Sequence, residues 1–254
     1  MNSNTCNFYD PGTNEPLSYV LNKFGQKVGL PLPDDLPTPP FPNLETVHGI
    51  TCRLEPLKVH HAEDLLYEMA ENDSDWTYLL TDRPKDLNEY RQLIESYNKF
   101  HDRVNVGIVD NKTNKAVGSV AYMRIDPTNC SLEIGAVNFS KAMQKTKMGT
   151  EAIYLMMKTT FDLGYRRLEW KCDALNERSR SAALRYGFTF EGIFRQAIVL
   201  RKASGTRNRD TAWFSIIDNE WPKIKSSMEL WLSNENFDKS GNQIKRLRDL
   251  IKEK

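Results

Sequence analysis

The sequence predicts a mixed α/β (α+β) domain, in which a mostly antiparallel sheet of about six to seven strands carries helices on both faces. Segments that alternate apolar and polar residues recur through residues 48–222, as is typical of half-buried strands. Segments with apolar residues three or four positions apart lie between them, as is typical of helices that pack on a sheet. Short polar loops join several of the strand segments, which favours antiparallel hairpins.

The first half of the domain predicts a strand, two helices and three antiparallel strands. The strand segments share a two-residue alternation and are residues 49–57, 104–110, 116–125 and 130–139. The helical segments share apolar residues at helical spacing and are residues 60–71 and 83–100. Asp82 and Pro84 suit the start of the second helix, because a side-chain acceptor and a fixed φ favour the first turn.

The second half predicts helix, strand, helix and a final hairpin, followed by closing helices. The helices are residues 148–164, 176–186, 220–232 and 242–254, and the strands are residues 166–174, 188–201 and 210–218. Gly164 and Gly187 are placed to end the first two of these helices, since glycine adopts the left-handed conformation of a helix end. The polar stretch KASGTRNR is expected to form the loop of the hairpin.

The chain divides into a proline-rich arm (1–47), a main domain (48–222) and a helical extension (223–254). The stretch GLPLPDDLPTPPFP in the arm contains six of the twelve prolines, which favours an extended conformation. Its apolar residues are Leu30, Leu32, Leu36 and Phe41. These residues could pack in a surface groove of the domain, and disorder is the alternative.

Composition indicates a cytoplasmic protein. The formal net charge is +1, which gives no general case for binding nucleic acid or a membrane surface. No window has the roughly 20 apolar residues of a membrane span, and the N-terminus lacks the apolar region of a signal peptide. The four cysteines (Cys6, Cys52, Cys130 and Cys172) show no CxxC spacing, so neither a metal site nor a disulfide is expected.

The stretch SKAMQKTKMGTEA (140–152) leads directly into an apolar helix. A helix start leaves several backbone N–H groups unpaired and carries about half a positive charge, which makes it an anion site. Lys145 and Lys147 are unfavourable beside an empty helix start and favourable once an anion is bound there. The alternative is an ordinary polar loop before a core helix.

The motifs LEIGAVNF, QKTKMGTEA, WKCDALNERSRSAALRYGF and FEGIFRQ…NRDTAWFSI resemble those of the GNAT acyl-CoA N-acetyltransferases. The resemblance covers residues 48–222 and is to the branch of the ribosomal-protein N-terminal acetyltransferases and related small-molecule acetyltransferases. It implies acetyl-CoA as the acyl donor, no metal, and direct transfer in a ternary complex. The alternative is a protein of this fold that binds CoA, or a partner, without turnover.

The resemblance also implies which residues bind the cofactor. The expected set is the strand end Val137, Asn138 and Phe139, the helix start Gln144, Lys145, Lys147, Met148, Gly149 and Thr150, and Asn176. Asn176 resembles the residue that holds the pantetheine, although capping of the next helix would explain it equally. The sequence departs from the family pattern at Lys147, where a glycine is usual.

Acetyl transfer needs a group that removes the amine proton and a group that protonates the departing thiolate. Glu133 suits the first task, with a solvent-facing strand residue as the alternative. Glu169 and Asp173 are weaker candidates. The tyrosine with which many relatives protonate the thiolate is replaced here by Ala183. Ser179, three residues after Asn176, resembles the thiol protonator of this branch. A covalent route through Cys172 is disfavoured, since a lone cysteine in mid-strand is typical of a core.

The acceptor site is expected between the early helices and the final hairpin. Candidate residues combine aromatic rings with charges and are Trp76, Tyr78, Arg124, Trp170, Arg195 and Asp210. This wall is more aromatic than acidic, which argues weakly against a basic peptide. The acceptor is therefore expected to be a small amine or a protein N-terminus, and the protein a monomer or a homodimer.

Overall fold

The structure is a computed structural model that describes residues 9–43, 45–69 and 73–253. Ten strands occur in this part of the chain: β1 (Val20–Leu21), β2 (Lys27–Val28), β3 (Val47–His48), β4 (Cys52–Pro56), β5 (Val104–Asp110), β6 (Ala116–Asp126), β7 (Ser131–Phe139), β8 (Arg167–Asp173), β9 (Thr189–Lys202) and β10 (Gly205–Ile217). Strands β1 and β2 form a small separate hairpin. The others form one sheet in the order β3-β4-β5-β6-β7-β8-β10-β9.

The predicted fold class is confirmed, with one strand more than expected in the sheet. Every neighbouring pair in the sheet is antiparallel except β7 and β8. The additional strand is β3, which pairs with β4 over two residues. So short a strand carries too little alternation to be recognised in a sequence.

Helices cover both faces of the sheet, as predicted. Six α-helices occur in the described residues: α1 (Ala62–Glu68), α2 (Leu87–Tyr97), α3 (Lys147–Asp162), α4 (Glu177–Arg185), α5 (Trp221–Leu232) and α6 (Leu247–Glu253). Helices α1 and α2 enclose a small apolar cluster on one face. Helices α3 to α6 enclose the main core on the other, where the Tyr122 hydroxyl donates to the carbonyl of Met156 at 2.7 Å.

Most predicted element boundaries agree with the structure. Gly164 and Gly187 follow α3 and α4 with φ of +89° and +93°, as expected of glycines at helix ends. The predicted start of α2 was wrong, because Asp86 caps this helix by accepting a hydrogen bond from the Glu89 N–H at 2.8 Å. Strand β10 begins at Gly205, so most of the expected loop KASGTRNR is strand. The predicted helix of residues 60–71 ends at residues 70 and 71, which lie outside the described residues.

Strands β7 and β8 separate shortly after they meet. Their parallel pairing covers only Ser131–Ile134 against Arg167–Trp170. On β7 a bulge follows at once: Ala136 has φ of +49°, and the register against β6 shifts between Ser119 and Ala121. A bulge bends its strand and increases the local twist. The two strands therefore enclose an open cleft beyond Ile134.

Glu151 fixes the start of α3 to the turn between β3 and β4. Its carboxylate accepts hydrogen bonds from the N–H groups of Ile50 and Thr51, both at 2.7 Å, and of Cys52 at 3.2 Å. The carboxylate is nearly buried, and hydrogen bonds of a charged acceptor to backbone N–H groups are strong. Glu151 thus anchors the end of α3 that faces the cleft.

The helical extension packs against the start of α3 and the end of α4. The ammonium of Lys147 donates to Asn234 Oδ1 at 2.9 Å and lies 4.9 Å from the ring centre of Phe237. The guanidinium of Arg185 lies 4.9 Å from the ring centre of Trp231. These contacts connect the extension to the loop that precedes α3.

The arm contacts the domain through its prolines rather than its leucines. Pro39 and Pro42 are buried, and the Tyr165 hydroxyl donates to the carbonyl of Pro40 at 3.2 Å. By contrast, Leu30 and Leu32 are 58% and 49% exposed. The interpretation that these leucines lie in a groove is therefore not supported by the structure.

No helix among the described residues is long and apolar enough to cross a membrane. The cytoplasmic location of the protein stays a prediction.

We expect the contact of residues 39–42 to stabilise the domain measurably. A chain that begins at residue 37 should melt about 2–6 °C above a chain that begins at residue 45, because burial of two prolines and one hydrogen bond contributes about 1–2 kcal/mol. Differential scanning calorimetry of the two shortened chains measures the difference. Equal melting temperatures would show that the contact contributes no stability.

Candidate active site

Glu133 lies on β7 just before the cleft, and its carboxylate is almost fully buried. The side chain is 3% exposed and contacts Arg124 Nη1 at 2.5 Å and Lys171 Nζ at 3.3 Å. Burial raises the pKa of this carboxyl, while the positive charges of Arg124 and Lys171 oppose the rise. A carboxylate of raised pKa that is still paired with cations is suited to accept a proton near neutral pH.

A row of charged side chains continues from Glu133 across the same face of the sheet. Lys171 Nζ contacts Glu169 Oε2 at 2.6 Å, and Arg167 joins Glu169 to Glu191 through contacts at 2.9 and 2.5 Å. The arrangement follows from the period of two in β8, since alternate residues of a strand point to one face. Lys171 was missed in the sequence analysis, although the alternation of charges in RLEWKCD signals it.

Residues 73–83 lie over this face at the ends of β8 and β10. Lys202 Nζ donates to the carbonyl of Trp76 at 2.6 Å, and Arg207 Nη2 donates to the carbonyl of Thr77 at 3.0 Å. The Tyr78 hydroxyl donates to the carbonyl of Leu175 at 3.3 Å. These bonds hold the segment against the final hairpin and the β8–α4 turn. Residues 73–83 therefore border one end of the face that carries Glu133, and the space over this face is called the chamber.

A groove of about 320 Å³ lies between the end of α1, residues 73–76 and the end of β7. Trp76 and Ser140 line this groove, and they are 4% and 2% exposed. Neither Trp76 Nε1 nor Ser140 Oγ has a hydrogen-bond partner within the described chain. Buried polar atoms without partners are rare, so these two atoms mark a place where a polar ligand fits.

The start of α3 presents unpaired backbone donors beside the cleft. Thr146 caps the helix by accepting a hydrogen bond from the Gly149 N–H at 3.2 Å. The N–H groups of Lys145, Lys147 and Met148 have no acceptor among the residues that the structure describes. Lys145 has φ of +61°, which turns the chain into the helix. Three N–H groups at a helix start form an anion site.

Gly149 is required at this turn for steric reasons. A Cβ atom at this position would lie 2.6 Å from the carbonyl oxygen of Met143, which is too close for any side chain. Glycine here lets the loop fold back tightly against the first turn of α3.

The other predicted cofactor residues lie around the same turn. Gln144 Nε2 donates to the carbonyl of Phe139 at 2.9 Å, which closes the loop. Thr150 Oγ1 accepts a hydrogen bond from Arg185 Nη2 at 3.0 Å. The ammonium of Lys147 is directed to the extension, as described above. A role of the Lys147 side chain in anion binding stays a prediction, and its backbone N–H is the group that the helix start presents.

Asn138 and Val137 follow the bulge at the cleft. Asn138 pairs with Ser119, whereas Gly135 pairs with Ala121, so the bulge places Asn138 on the same face as Glu133. Beyond Ile134 the edge of β7 that faces β8 has no strand partner in the described chain. Its backbone groups are available to a ligand that lies in the cleft.

Ser179 and Asn176 lie across the cleft, on the opposite face of the sheet. Ser179 Oγ accepts a hydrogen bond from Trp170 Nε1 at 3.0 Å, and Asn176 Oδ1 caps α4 by accepting from the Ser179 N–H at 3.1 Å. The bond from Trp170 occupies an acceptor site of the hydroxyl and leaves its hydrogen to be donated. The nearby Ala183 is fully buried and Tyr186 nearly so; both contribute to packing.

The predicted acceptor residues do not all lie together. Arg124 contacts Glu133, and Trp76 and Tyr78 belong to the segment that borders this face. Trp170 lies on the opposite face beside Ser179. Asp210 Oδ1 accepts from the Gln196 N–H at 2.7 Å and from Asn208 Nδ2 at 2.8 Å, and Arg195 is exposed on the edge strand β9. Roles of all six residues in acceptor binding stay predictions.

One group of side chains has the composition of a metal site, namely Glu55, His60 and His61. His61 Nδ1 accepts from the Lys58 N–H at 3.0 Å, so its Nε2 carries the proton that is donated to Glu55 Oε1 at 2.7 Å. Both ring nitrogens are therefore occupied. Arg53 also contacts Glu55 at 3.1 Å. In the structure His61, Glu55 and Arg53 thus form a hydrogen-bonded cluster.

Comparisons with known proteins identify the family. The family model "Acetyltransferase (GNAT) domain" matches residues 52–189. A GCN5-related N-acetyltransferase from Brucella melitensis is 39% identical with a TM-score of 0.80, over 85% of this chain and 98% of that one. A protein from Chromobacterium violaceum, described as a "probable acetyltransferase (GNAT family)", is 34% identical with a TM-score of 0.72, over 77% and 97%. The chain belongs to the GNAT acetyltransferases, which in general use acetyl-CoA as acyl donor.

A more distant likeness shows the fold alone. The Salmonella typhimurium acetyltransferase that modifies the N-terminal serine of ribosomal protein L7/L12 is 21% identical with a TM-score of 0.59, over 68% of this chain and 99% of that one. No curated protein matches the chain.

We expect the buried thiols to be unreactive in the folded protein. Burial raises the pKa of the Cys52 thiol to about 12 and also raises that of Cys172. At pH 8 the thiolate of Cys52 is then about one part in 10⁴. Alkylation by iodoacetamide, read by peptide mass spectrometry, should leave Cys52, Cys130 and Cys172 unmodified and label all of them after denaturation. Cys6 lies outside the described residues. Rapid labelling of Cys172 in the native protein would support a covalent route through this cysteine.

Proposed function

We propose that the protein is an N-acetyltransferase that transfers the acetyl group of acetyl-CoA directly to a primary amine in a ternary complex. The observation that carries this proposal is the cleft between β7 and β8. Glu133 lies on one face of the sheet beside the cleft, Ser179 lies across it on the other face, and the unpaired N–H groups of α3 begin at its end.

The start of α3 is suited to hold the pyrophosphate of the cofactor. The N–H groups of Lys145, Lys147 and Met148 lack acceptors in the described chain, and the exposed side chain of Lys145 adds a positive charge at the same turn. The backbone of Val137, Asn138 and Phe139, together with the amide nitrogen of Asn176, is suited to bind the peptide-like pantetheine. The buried hydroxyl of Ser140 is a further donor in the groove.

Glu133 accepts the proton that the amine must lose in this mechanism. The positive charges of Arg124 and Lys171 favour the ionised form of the buried carboxylate and fix its orientation. The deprotonated amine nitrogen forms its bond to the carbonyl carbon of the thioester, and the bond from that carbon to sulfur breaks. Ser179 then passes its hydroxyl proton to the departing sulfur and regains a proton from solvent, while Glu133 releases the amine proton to solvent. The hydrogen bond from Trp170 holds the hydroxyl in position.

Direct transfer is favoured over a covalent acetyl-enzyme. A cysteine that carries the acetyl group must be a thiolate to attack. Cys172 is buried and its pKa is raised, chiefly by burial, so this nucleophile would be largely protonated.

The acceptor in this proposal is a small amine or a protein N-terminus. The Salmonella relative acts on a protein N-terminus, but its likeness extends to the fold alone, so it selects neither class. The alternative function, CoA or partner binding without turnover, predicts affinity for CoA and no thiol release with any amine.

We expect Lys145→Glu to weaken CoA binding by about tenfold or more. The substitution places a carboxylate at the anion site, and charge-assisted hydrogen bonds contribute about 1.5–3 kcal/mol. Isothermal titration calorimetry with CoA measures the change. Lys112→Glu, an exposed substitution of equal charge on the β5–β6 turn, should bind CoA like the parent protein. Equal affinities of the two variants would place the pyrophosphate elsewhere.

We expect Glu133→Gln to lower turnover by about 10²-fold and to remove the acidic limb of the pH–rate profile. Because burial raises the pKa of Glu133, the limb of the parent enzyme should fall above the usual glutamate range. Thiol release from acetyl-CoA, followed between pH 5 and 9, measures both. Glu169→Gln should keep an acidic limb, and a Glu133→Gln enzyme that still showed it would exclude Glu133 as the base.

We expect Ser179→Ala to lower turnover by about 10²-fold without changing the affinity for acetyl-CoA, because the hydroxyl acts only as the sulfur departs. Ser181→Ala, at an exposed position on the same helix, serves as the control for the loss of a hydroxyl from α4. Kinetics and melting should be measured on the same samples. Normal turnover of Ser179→Ala with a lowered melting temperature would assign Ser179 a structural role alone.

A further inference from the structure

Arg209 on β10 is a buried cation without a partner. Arg209 is 8% exposed, and its Nε has no hydrogen-bond partner. No hydrogen bond or ion pair of its guanidinium is formed within the described part of the chain. Burial lowers the pKa of Arg209, and the negative charges of Asp173 and Glu133 oppose this. A buried charge left unpaired costs several kcal/mol, so the position calls for an explanation.

The nearby carboxylates contact other groups and form no contact with Arg209. Asp173 accepts from Arg207 Nη1 at 2.9 Å and from the Leu175 N–H at 3.0 Å. Glu133 Oε2 is held by Arg124 and Lys171.

Several cations lie beside these carboxylates. Arg124 and Lys171 contact Glu133, and Arg207 contacts Asp173. Arg209 differs from them because its guanidinium forms no hydrogen bond or ion pair within the described part of the chain.

Arg209 belongs to the face that carries Glu133. Trp213 pairs with Lys171 and Thr211 pairs with Asp173, while Glu133 pairs with Glu169, so Thr211 and Trp213 share this face. Arg209 lies two residues before Thr211, at a register shift against β9, and the charges of Asp173 and Glu133 act on it. Thr211 is 4% exposed, and its hydroxyl also has no partner in the described chain. A guanidinium with an unpaired Nε and an unpaired hydroxyl therefore lie on the side of the sheet that carries the candidate base.

We propose that the acceptor is a small amine that also carries a carboxylate, of the class of free amino acids, and that Arg209 and Thr211 bind this carboxylate while Glu133 faces the amine. The planar guanidinium matches a carboxylate through two parallel hydrogen bonds, and the Thr211 hydroxyl adds a third donor. The inference rests on the proposed function and narrows its acceptor. The cofactor's phosphates are assigned to the start of α3, so they do not explain the unpaired side chains of Arg209 and Thr211.

Matched acceptors test the proposal. The twenty amino acids and their α-amides differ only in the negative charge, and thiol release from acetyl-CoA reports kcat/KM for each. We expect at least one acid to exceed its amide by tenfold or more in kcat/KM. Arg209→Gln should abolish that preference while leaving the KM for acetyl-CoA unchanged, and Arg209→Lys should restore part of it. Amides, or peptides with free N-termini, that match or exceed every acid would overturn the inference.

Control measurements separate this inference from the proposed function. Arg201→Gln, at an exposed position on the same hairpin, should keep the preference for acids. If no amine releases thiol although CoA binds, the proposed function fails. The melting temperature of the CoA complex then decides the inference, because an acid that binds at Arg209 should raise it and the amide should not, with the shift lost in Arg209→Gln. No shift with any acid would overturn the carboxylate site as well.

Discussion

The separation of β7 and β8 determines where every functional group of this protein lies. Two parallel strands normally share a ladder of hydrogen bonds, and here the ladder ends after Ile134 because the bulge at Ala136 turns β7 aside. The bulge leaves backbone groups of β7 without a strand partner, and it returns Asn138 to the face of Glu133. The anchored start of α3 closes the end of the same opening. One extra residue in a strand therefore creates the cleft and also lines it.

The two faces of the sheet carry different kinds of side chain. The face under α3 is filled by large apolar side chains, which supply the stability of the domain. The other face carries a row of charges from Arg124 to Glu191, of which Glu133 and Lys171 are nearly buried. Such charges contribute little net stability, because desolvation cancels most of their attraction. Their arrangement around Glu133 is better explained by the chemistry of proton transfer, which needs an ionised carboxylate in a dry site.

The sequence predicted the fold class and most elements, because each long strand or helix has a clear period. It missed β3, and it placed the start of α2 at Asp82 instead of Asp86, since several residues there could cap a helix. For the site, Glu133 and the turn before α3 were identified by pattern. Arg209 was not, because an unpaired cation is visible only when its neighbours are known. The spread of Arg195 and Asp210 away from the chamber depends likewise on which face each strand residue occupies.

Through the contact between Lys147 and Asn234, the helical extension supports the loop that is proposed to bind the cofactor. A glycine at position 147 would need no support, whereas a lysine brings a long cation that must be accommodated beside the turn. Asn234 and Phe237 accommodate it from a segment outside the matched family domain, 87 positions later in the chain. Grafting this loop onto a relative that lacks the extension would transfer the lysine without the residues that direct it away from the phosphates.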